Sequence, residues 1–260
     1  MAGRETADIV FCVDVSSSMR PAIDGVRKNI EKLVKSLNQT GGQMVWDVRF
    51  DYLAYSVTGM DNMHLETMNC RGPEVINEVY NGASANQQTS NKLFTRDIAQ
   101  FCNALDNVRI QGDEATLPAI DIAADFPFRD ATTCHRVIVL LTDEPIKDGV
   151  YVSSTTAKLM DLAQKLQAKK IALYMTTPDC QHFDTLSQVD KCEWNVDSSS
   201  GLSGVDFTKL MESIGKSVSM SQTNGNSKKD DRPKPLYNEN KWTDGAGNIV
   251  ENIKLENIKL

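Results

Sequence analysis

"DIVFCVDVSSSMRP", residues 8 to 21, passes from an almost continuous apolar run into an aspartate, three serines and a proline. A run of that kind fits a strand covered on both faces, as in a parallel sheet flanked by helices. In the stretch that follows, "RPAIDGVRKNIEKLVKSL" (20 to 37), Ile23, Val26, Ile30, Leu33, Val34 and Leu37 recur at three- and four-residue steps. Pro21 stands where a first helical turn accepts it. A buried strand therefore hands over to an amphipathic helix, and a carboxylate with three hydroxyls stands at the handover.

The same alternation of strand and helix patterns continues to about residue 220. "WDVRFDYLAYS" (46 to 56) alternates as a half-buried strand does, and "MHLETM" (63 to 68) reads as its hairpin partner across "VTGMDN". Helices are expected near 73 to 79 and 93 to 107, on either side of the polar loop "YNGASANQQTSN" (80 to 91). "HRVIVLLTDE" (135 to 144) is the most hydrophobic strand and so a central one. A helix at about 154 to 169, the strand "IALYMTT" (171 to 177), a helix near 181 to 189, the short strand "CEWNVD" (192 to 197) and a helix at about 205 to 219 complete the pattern. The expected fold is α/β: a doubly wound, mostly parallel sheet with one antiparallel edge strand and helices on both faces.

Residues 1 to 220 form the expected domain, and residues 221 to 260 a flexible polar tail. The composition from 221 to 248 is too polar to bury a core and reads as disordered or loosely docked. The last ten residues repeat "ENIKL" twice. Two readings of that repeat stand side by side: a duplicated end without a role, and a peptide that docks Ile253, Leu255, Ile258 and Leu260 on a second protein.

An apolar fraction of 40% with 24% charged residues fits a soluble globular chain. The net charge is −7, and residues 1 to 220 carry 29 acids against 21 bases. Such a body lacks the basic stripe that phosphate backbones require, which argues against nucleic acid as a partner. The sequence shows no leader pattern and no run near the roughly 20 apolar residues that span a bilayer, so a cytoplasmic protein without membrane partners is expected. The six cysteines are scattered without C-x-x-C pairs and read as reduced thiols, although Cys180 and Cys192 are close enough in sequence to pair in an oxidising setting.

In a doubly wound sheet, ligands bind beyond the carboxyl ends of the strands, at the point where connections diverge to the two faces. Asp14 ends the first strand, which places Asp14, Ser16 and Ser18 in that crevice. Thr116 in "GDEATLPAI" and Asp143 in "LLTDE" stand at two further strand ends and converge on the same place. Hydroxyl and carboxylate oxygens are hard donors that suit Mg²⁺ or Mn²⁺.

"DVSSS", "EATLPAI" and "LLTDE", in this order and on these elements, resemble the von Willebrand factor A domain with its metal-ion-dependent adhesion site, D-x-S-x-S with a distant Thr and a distant Asp. The resemblance covers roughly residues 6 to 220 and implies a Rossmann-like fold. It implies a metal site made of Asp14, Ser16, Ser18, Thr116 and Asp143, with the two serines as direct ligands and the aspartates acting largely through water and as hydrogen-bond acceptors. It further implies a protein partner that supplies a carboxylate to the metal, binding rather than catalysis, and a place among small bacterial proteins of stress or defence systems. Two departures from the family pattern, "TDE" for T-D-G and "GDEAT" for G-G-T, add Glu144, Asp113 and Glu114 beside the site.

Other readings of the same residues are weaker. A serine before a helix commonly caps it, and a serine-rich turn can cradle phosphate, but no glycine-rich phosphate motif accompanies this one. Ser16 stands where haloacid-dehalogenase-type phosphatases carry a second aspartate. No G-x-S-x-G is present, His64, His135 and His182 fall outside any triad pattern, and "CHR" and "CQHF" lack zinc spacing. The expected protein is not an enzyme; the alternatives are a metal-dependent phosphoesterase using the same crevice, and an adaptor acting through its tail with a vestigial site.

Overall fold

Arg4–Asp14 form β1, whose alternate side chains enter two separate cores: Ile9, Phe11 and Val13 on one side of the sheet, Val10 and Cys12 on the other. All five are fully buried, each aliphatic one worth about 1.5–3 kcal/mol of transfer free energy. This two-sided burial is the physical reason for the unbroken apolar run in the sequence. The computed structural model describes residues 4–40, 45–58, 62–82, 92–113, 115–146, 155–223, 242–243 and 249–250.

After a short 3-10 turn, Ser17–Met19, the chain enters α1 (Arg20–Thr40), then β2 (Val45–Thr58), β3 (Asn62–Glu66), α2 (Pro73–Gly82), α3 (Ile98–Asp106) and α4 (Thr116–Ala123). It continues through β4 (His135–Leu141), α5 (Thr155–Ala168), β5 (Ile171–Thr177), α6 (Gln181–Ser187), β6 (Cys192–Val196), a second 3-10 turn at Ser200–Leu202 and α7 (Phe207–Thr223). Among the described residues, six strands form one sheet in the order β3-β2-β1-β4-β5-β6. β3 pairs antiparallel with β2 and all other neighbours are parallel. The apolar faces of α1, α3 and α7 cover one side of the sheet, and those of α2, α4, α5 and α6 the other. The doubly wound α/β architecture with an antiparallel edge strand is thus the observed one.

Several expected boundaries shift, and the largest shift has an identifiable reason. The helix expected from residue 93 begins at Ile98, because the preceding segment is drawn to β2: Thr95 exchanges backbone hydrogen bonds with Phe50, at 2.7 and 2.8 Å. Asp97 caps the helix through the Gln100 N–H. Asp51, wholly buried in β2, accepts the N–H groups of Tyr52, Met68 and Phe94 and so ties this segment and the turn after β3 to the sheet. The last helix extends to Thr223 rather than ending near 219.

Residues Asn224–Leu260 constitute a second unit, distinct from Met1–Thr223. Its described residues are Trp242–Thr243 and Ile249–Val250, which pair antiparallel, the first two inside and the last two just past the stretch 221 to 248 read as disordered or loosely docked. The "ENIKL" repeat lies outside the described residues. Among the described helices none is long and apolar enough to cross a membrane, and all six cysteines are free.

At the amino ends of β1 and β2, Asp8 is fully buried and held by two arginines. Arg49 donates to both its oxygens at 2.8 and 2.5 Å, and Arg129 donates through its side chain and its backbone N–H. Arg129 also reaches Asp47 and the carbonyls of Ala7 and Asp47. Burial alone would raise the Asp8 carboxyl, but the two guanidinium groups outweigh it and hold the acid below the usual carboxylate range. A depressed acid contributes stability above its unfolded value near 3.8 and loses it as the pH falls through its folded value. Removing this charge takes from Arg49 its buried acid partner and leaves Arg129 to Asp47 alone. In urea denaturation at neutral pH, Asp8→Asn is expected to lower stability by about 3–5 kcal/mol, with the deficit against the parent shrinking as the pH drops below about 4.

Candidate functional site

The parallel pairing of β1 brings its last residue, Asp14, opposite Tyr55 of β2, and Val13 opposite Leu141 of β4. β1 and β4 are the two central strands, and the chain leaves β1 for α1 on one face and β4 for α5 on the other. Their carboxyl ends therefore open into the crevice where connections diverge. The loop before α4 closes the far side, with Gln111 N–H bonded to Val15 O and Asp113 exchanging two backbone bonds with Val57. Gly112 permits that approach: its φ is +76° and a Cβ would overlap the Val57 carbonyl.

Asp14 is fully buried and works as an acceptor. Its Oδ1 takes the Ser16 N–H at 2.7 Å and its Oδ2 the Thr142 hydroxyl at 3.0 Å. Ser18 donates to Asp143 Oδ1 at 3.0 Å, and the Ser16 and Ser18 hydroxyls lie 3.2 Å apart. Because the Ser18 proton goes to Asp143, the Ser16 proton points to Ser18, and both serine oxygens keep lone pairs for another ligand. Asp143 Oδ2 accepts the Gly201 N–H at 2.6 Å, from the 3-10 turn that precedes α7. Thr116, the first residue of α4, is buried and joins by another route: its hydroxyl lies 3.1 Å from the Tyr55 hydroxyl.

The structure thus brings Asp14, Ser16, Ser18 and Asp143 into one connected cluster and sets Thr116 against the hydroxyl of Tyr55, the residue in register with Asp14. Of the flanking acids, Asp113 is exposed, Glu144 half-buried with its N–H on Thr142 Oγ1, and Glu114 outside the described residues. Three participants were missed by the sequence reading. Thr142 and Tyr55 had a signal, one adjoining Asp143 and the other falling in register with Asp14; Gly201 in "SSSGLSG" had none. The three histidines lie elsewhere: His64 bonds Thr58, His182 bonds the Ile146 carbonyl, and His135 opens β4, where burial and Lys191 push its imidazole down to about 4.

Which cation these groups suit follows from their chemistry. Among the described residues no three His, Cys, Asp or Glu side chains gather as a metal group, so the crevice offers two carboxylates and three hydroxyls instead. That is an all-oxygen, hard donor set, which fits Mg²⁺ or Mn²⁺ and disfavours zinc. Cys12, two residues before Asp14, is buried in the core on one side of the sheet, and burial, with the Asp14 charge adding to it, pushes its thiol up.

A model of the von Willebrand factor type A domain matches residues 8–189. The chain belongs to this family. The match spans β1 through α6 and stops before β6 and α7. Two solved structures resemble it: a von Willebrand factor type A protein from Catenulispora acidiphila, at 14% identity over 82% of this chain with a TM-score of 0.49, and proximal thread matrix protein 1 from the mussel byssus, at 16% identity over 82% with a TM-score of 0.49. This chain spans 42% of the former and 46% of the latter. No curated protein matches it.

The β6–α7 turn carries backbone strain. Gly201 has φ +64° and the buried Leu202 φ +52°, a region that leucine rarely adopts. A Cβ at Gly201 would overlap the Ser18 carbonyl and press on Pro21. Gly201→Ala is therefore expected to cost about 1–3 kcal/mol in urea denaturation and to disturb the Ser18–Asp143 pair, seen as shifted amide resonances of residues 16–18 and 143.

Proposed function

We propose that this domain binds a protein partner through a Mg²⁺ or Mn²⁺ ion held at the crevice, with an acidic side chain of the partner completing the ion's coordination. The observation that carries the reading is the meeting of Asp14, Ser16, Ser18 and Asp143 in one hydrogen-bonded cluster at the divergence point of a von Willebrand factor type A domain. Ser16, Ser18 and Thr116 would present oxygen lone pairs to the ion. Asp14 and Asp143 would orient the hydroxyls and balance its charge from behind them. The bound ion supplies a positive charge to which a carboxylate can attach.

This division of labour explains why the carboxylates point their oxygens at N–H and O–H groups of the domain. An acidic partner meets a net negative body, so without the cation its approach is opposed, and with it the approach is favoured at one point only. Interaction is then conditional on the metal. A binding role needs no base to activate water, and the described imidazoles are engaged away from the crevice.

Isothermal calorimetry of Mg²⁺ and Mn²⁺ on chelator-treated protein tests the reading. Saturable one-to-one binding is expected in the parent and is expected to vanish in Asp14→Ala and Ser16→Ala proteins that keep their circular dichroism and cooperative melting. Equal binding by parent and variants would place the ion elsewhere and reject the assignment.

A further inference from the structure

We infer that Thr142 is a positioning residue of the crevice: its single hydroxyl holds both the Asp14 carboxylate and the backbone turn that carries Asp143, and so sets the two aspartates of the site relative to each other. This role rests on the cation-binding reading above and adds to it a residue that is neither a proposed ligand nor part of the D-x-S-x-S pattern.

Two hydrogen bonds make the clamp, and the chemistry of the partners fixes their directions. A carboxylate accepts, so the Thr142 hydroxyl donates to Asp14 Oδ2, at 3.0 Å. A backbone N–H donates, so the Thr142 oxygen accepts from Glu144, at 3.3 Å, the longer bond of the two. The first bond joins the ends of the two central strands, since Asp14 ends β1 and Thr142 follows β4 by one residue. The second closes a turn in which a hydroxyl takes the N–H two residues on, which restrains the backbone of the residue between them, Asp143. From there Asp143 accepts the Ser18 hydroxyl with Oδ1 and the Gly201 N–H with Oδ2, while Asp14 accepts the Ser16 N–H with Oδ1. Each serine of the site is placed by one aspartate, and the two aspartates meet at Thr142.

The side chain suits the task. Thr142 is wholly buried, its own N–H is bonded to the Thr176 carbonyl of β5, and its β-branched side chain is stiff about the first torsion. The hydroxyl is thereby fixed relative to the sheet rather than free to rotate with a surface loop. Without that donor the Asp14 carboxylate is less restrained against turning about its Cβ–Cγ bond, and the Ser16 N–H loses a fixed acceptor.

Thr142→Val keeps the shape and loses the oxygen; Thr142→Ser keeps the oxygen and loses a methyl group. A residue that only fills space is served better by valine than by serine, and a positioning hydroxyl the reverse. Calorimetric Mg²⁺ titration of the parent and both variants tests the inference, with thermal melting to confirm the fold and amide exchange of Ser16 followed in the metal-free proteins. Thr142→Val is expected to weaken Mg²⁺ binding about 10- to 100-fold, the usual cost of losing a group that orients a ligand, and to speed exchange at Ser16. Thr142→Ser is expected to stay close to the parent in both. Parent-like affinity in folded Thr142→Val, equal weakening by the two variants, or unchanged Ser16 exchange in Thr142→Val overturns the role of Thr142. If Ser16→Ala still abolishes binding in that case, the cation site itself stands; no Mg²⁺ binding by the parent overturns both. Thr142→Ala differs from Thr142→Ser by the oxygen alone, and it carries the same comparison if Thr142→Val does not fold.

Discussion

The parallel pairing of β1 with β2 on one side and β4 on the other fixes where a single buried carboxylate, Asp14, emerges from the sheet, and the crevice is assembled around that point. Ser16 is oriented by its N–H on Asp14, Thr142 by its hydroxyl on the same carboxylate, and Tyr55 by lying across from it in register. A slip of one residue in either pairing would turn Asp14 to the opposite face of the sheet and scatter these groups. The apolar alternation of β1 into two cores makes such a slip prohibitively costly, so core packing and site geometry share one cause.

The two ends of the sheet treat buried charge in opposite ways. At the amino end Asp8 is neutralised by Arg49 and Arg129, a closed arrangement in which guanidinium forks meet the carboxylate directly. At the carboxyl end Asp14 and Asp143 are held by hydroxyls and backbone N–H groups, which orient a carboxylate without cancelling its charge. The first arrangement locks β1 and β2 together; the second leaves a negative site with oxygen donors in front of it. The 3-10 turn that precedes α7 is built into the second end through Gly201, so the turn leading into the last helix touches the site.

Much of this was readable in the chain. The continuous apolar run of β1, the stepped pattern of α1 and the hydrophobicity of β4 pointed to the sheet and its central strands, and "DVSSS" with Asp143 named four residues that meet at the end of β1, while Thr116 lies against Tyr55 instead. The start of α3 was not readable, because the pull of Phe50 and Asp51 on residues 94 and 95 is a contact between segments more than 40 residues apart. Tyr55 was hidden for a related reason: in sequence it is one more large residue of an alternating strand, and only the register against β1 distinguishes it from Tyr52, which packs on the other face. Gly201 was hidden because its role lies in a close approach to Ser18, and glycines in serine-rich turns are common without such a role.

The most direct measurement of the central claim is paramagnetic broadening of the amide spectrum by trace Mn²⁺. The account predicts that the amides of residues 16–18, 115–116 and 142–144 broaden first and recover when excess Mg²⁺ is added. Broadening centred on other residues, or spread evenly over the acidic surface and unaffected by Mg²⁺, would contradict it.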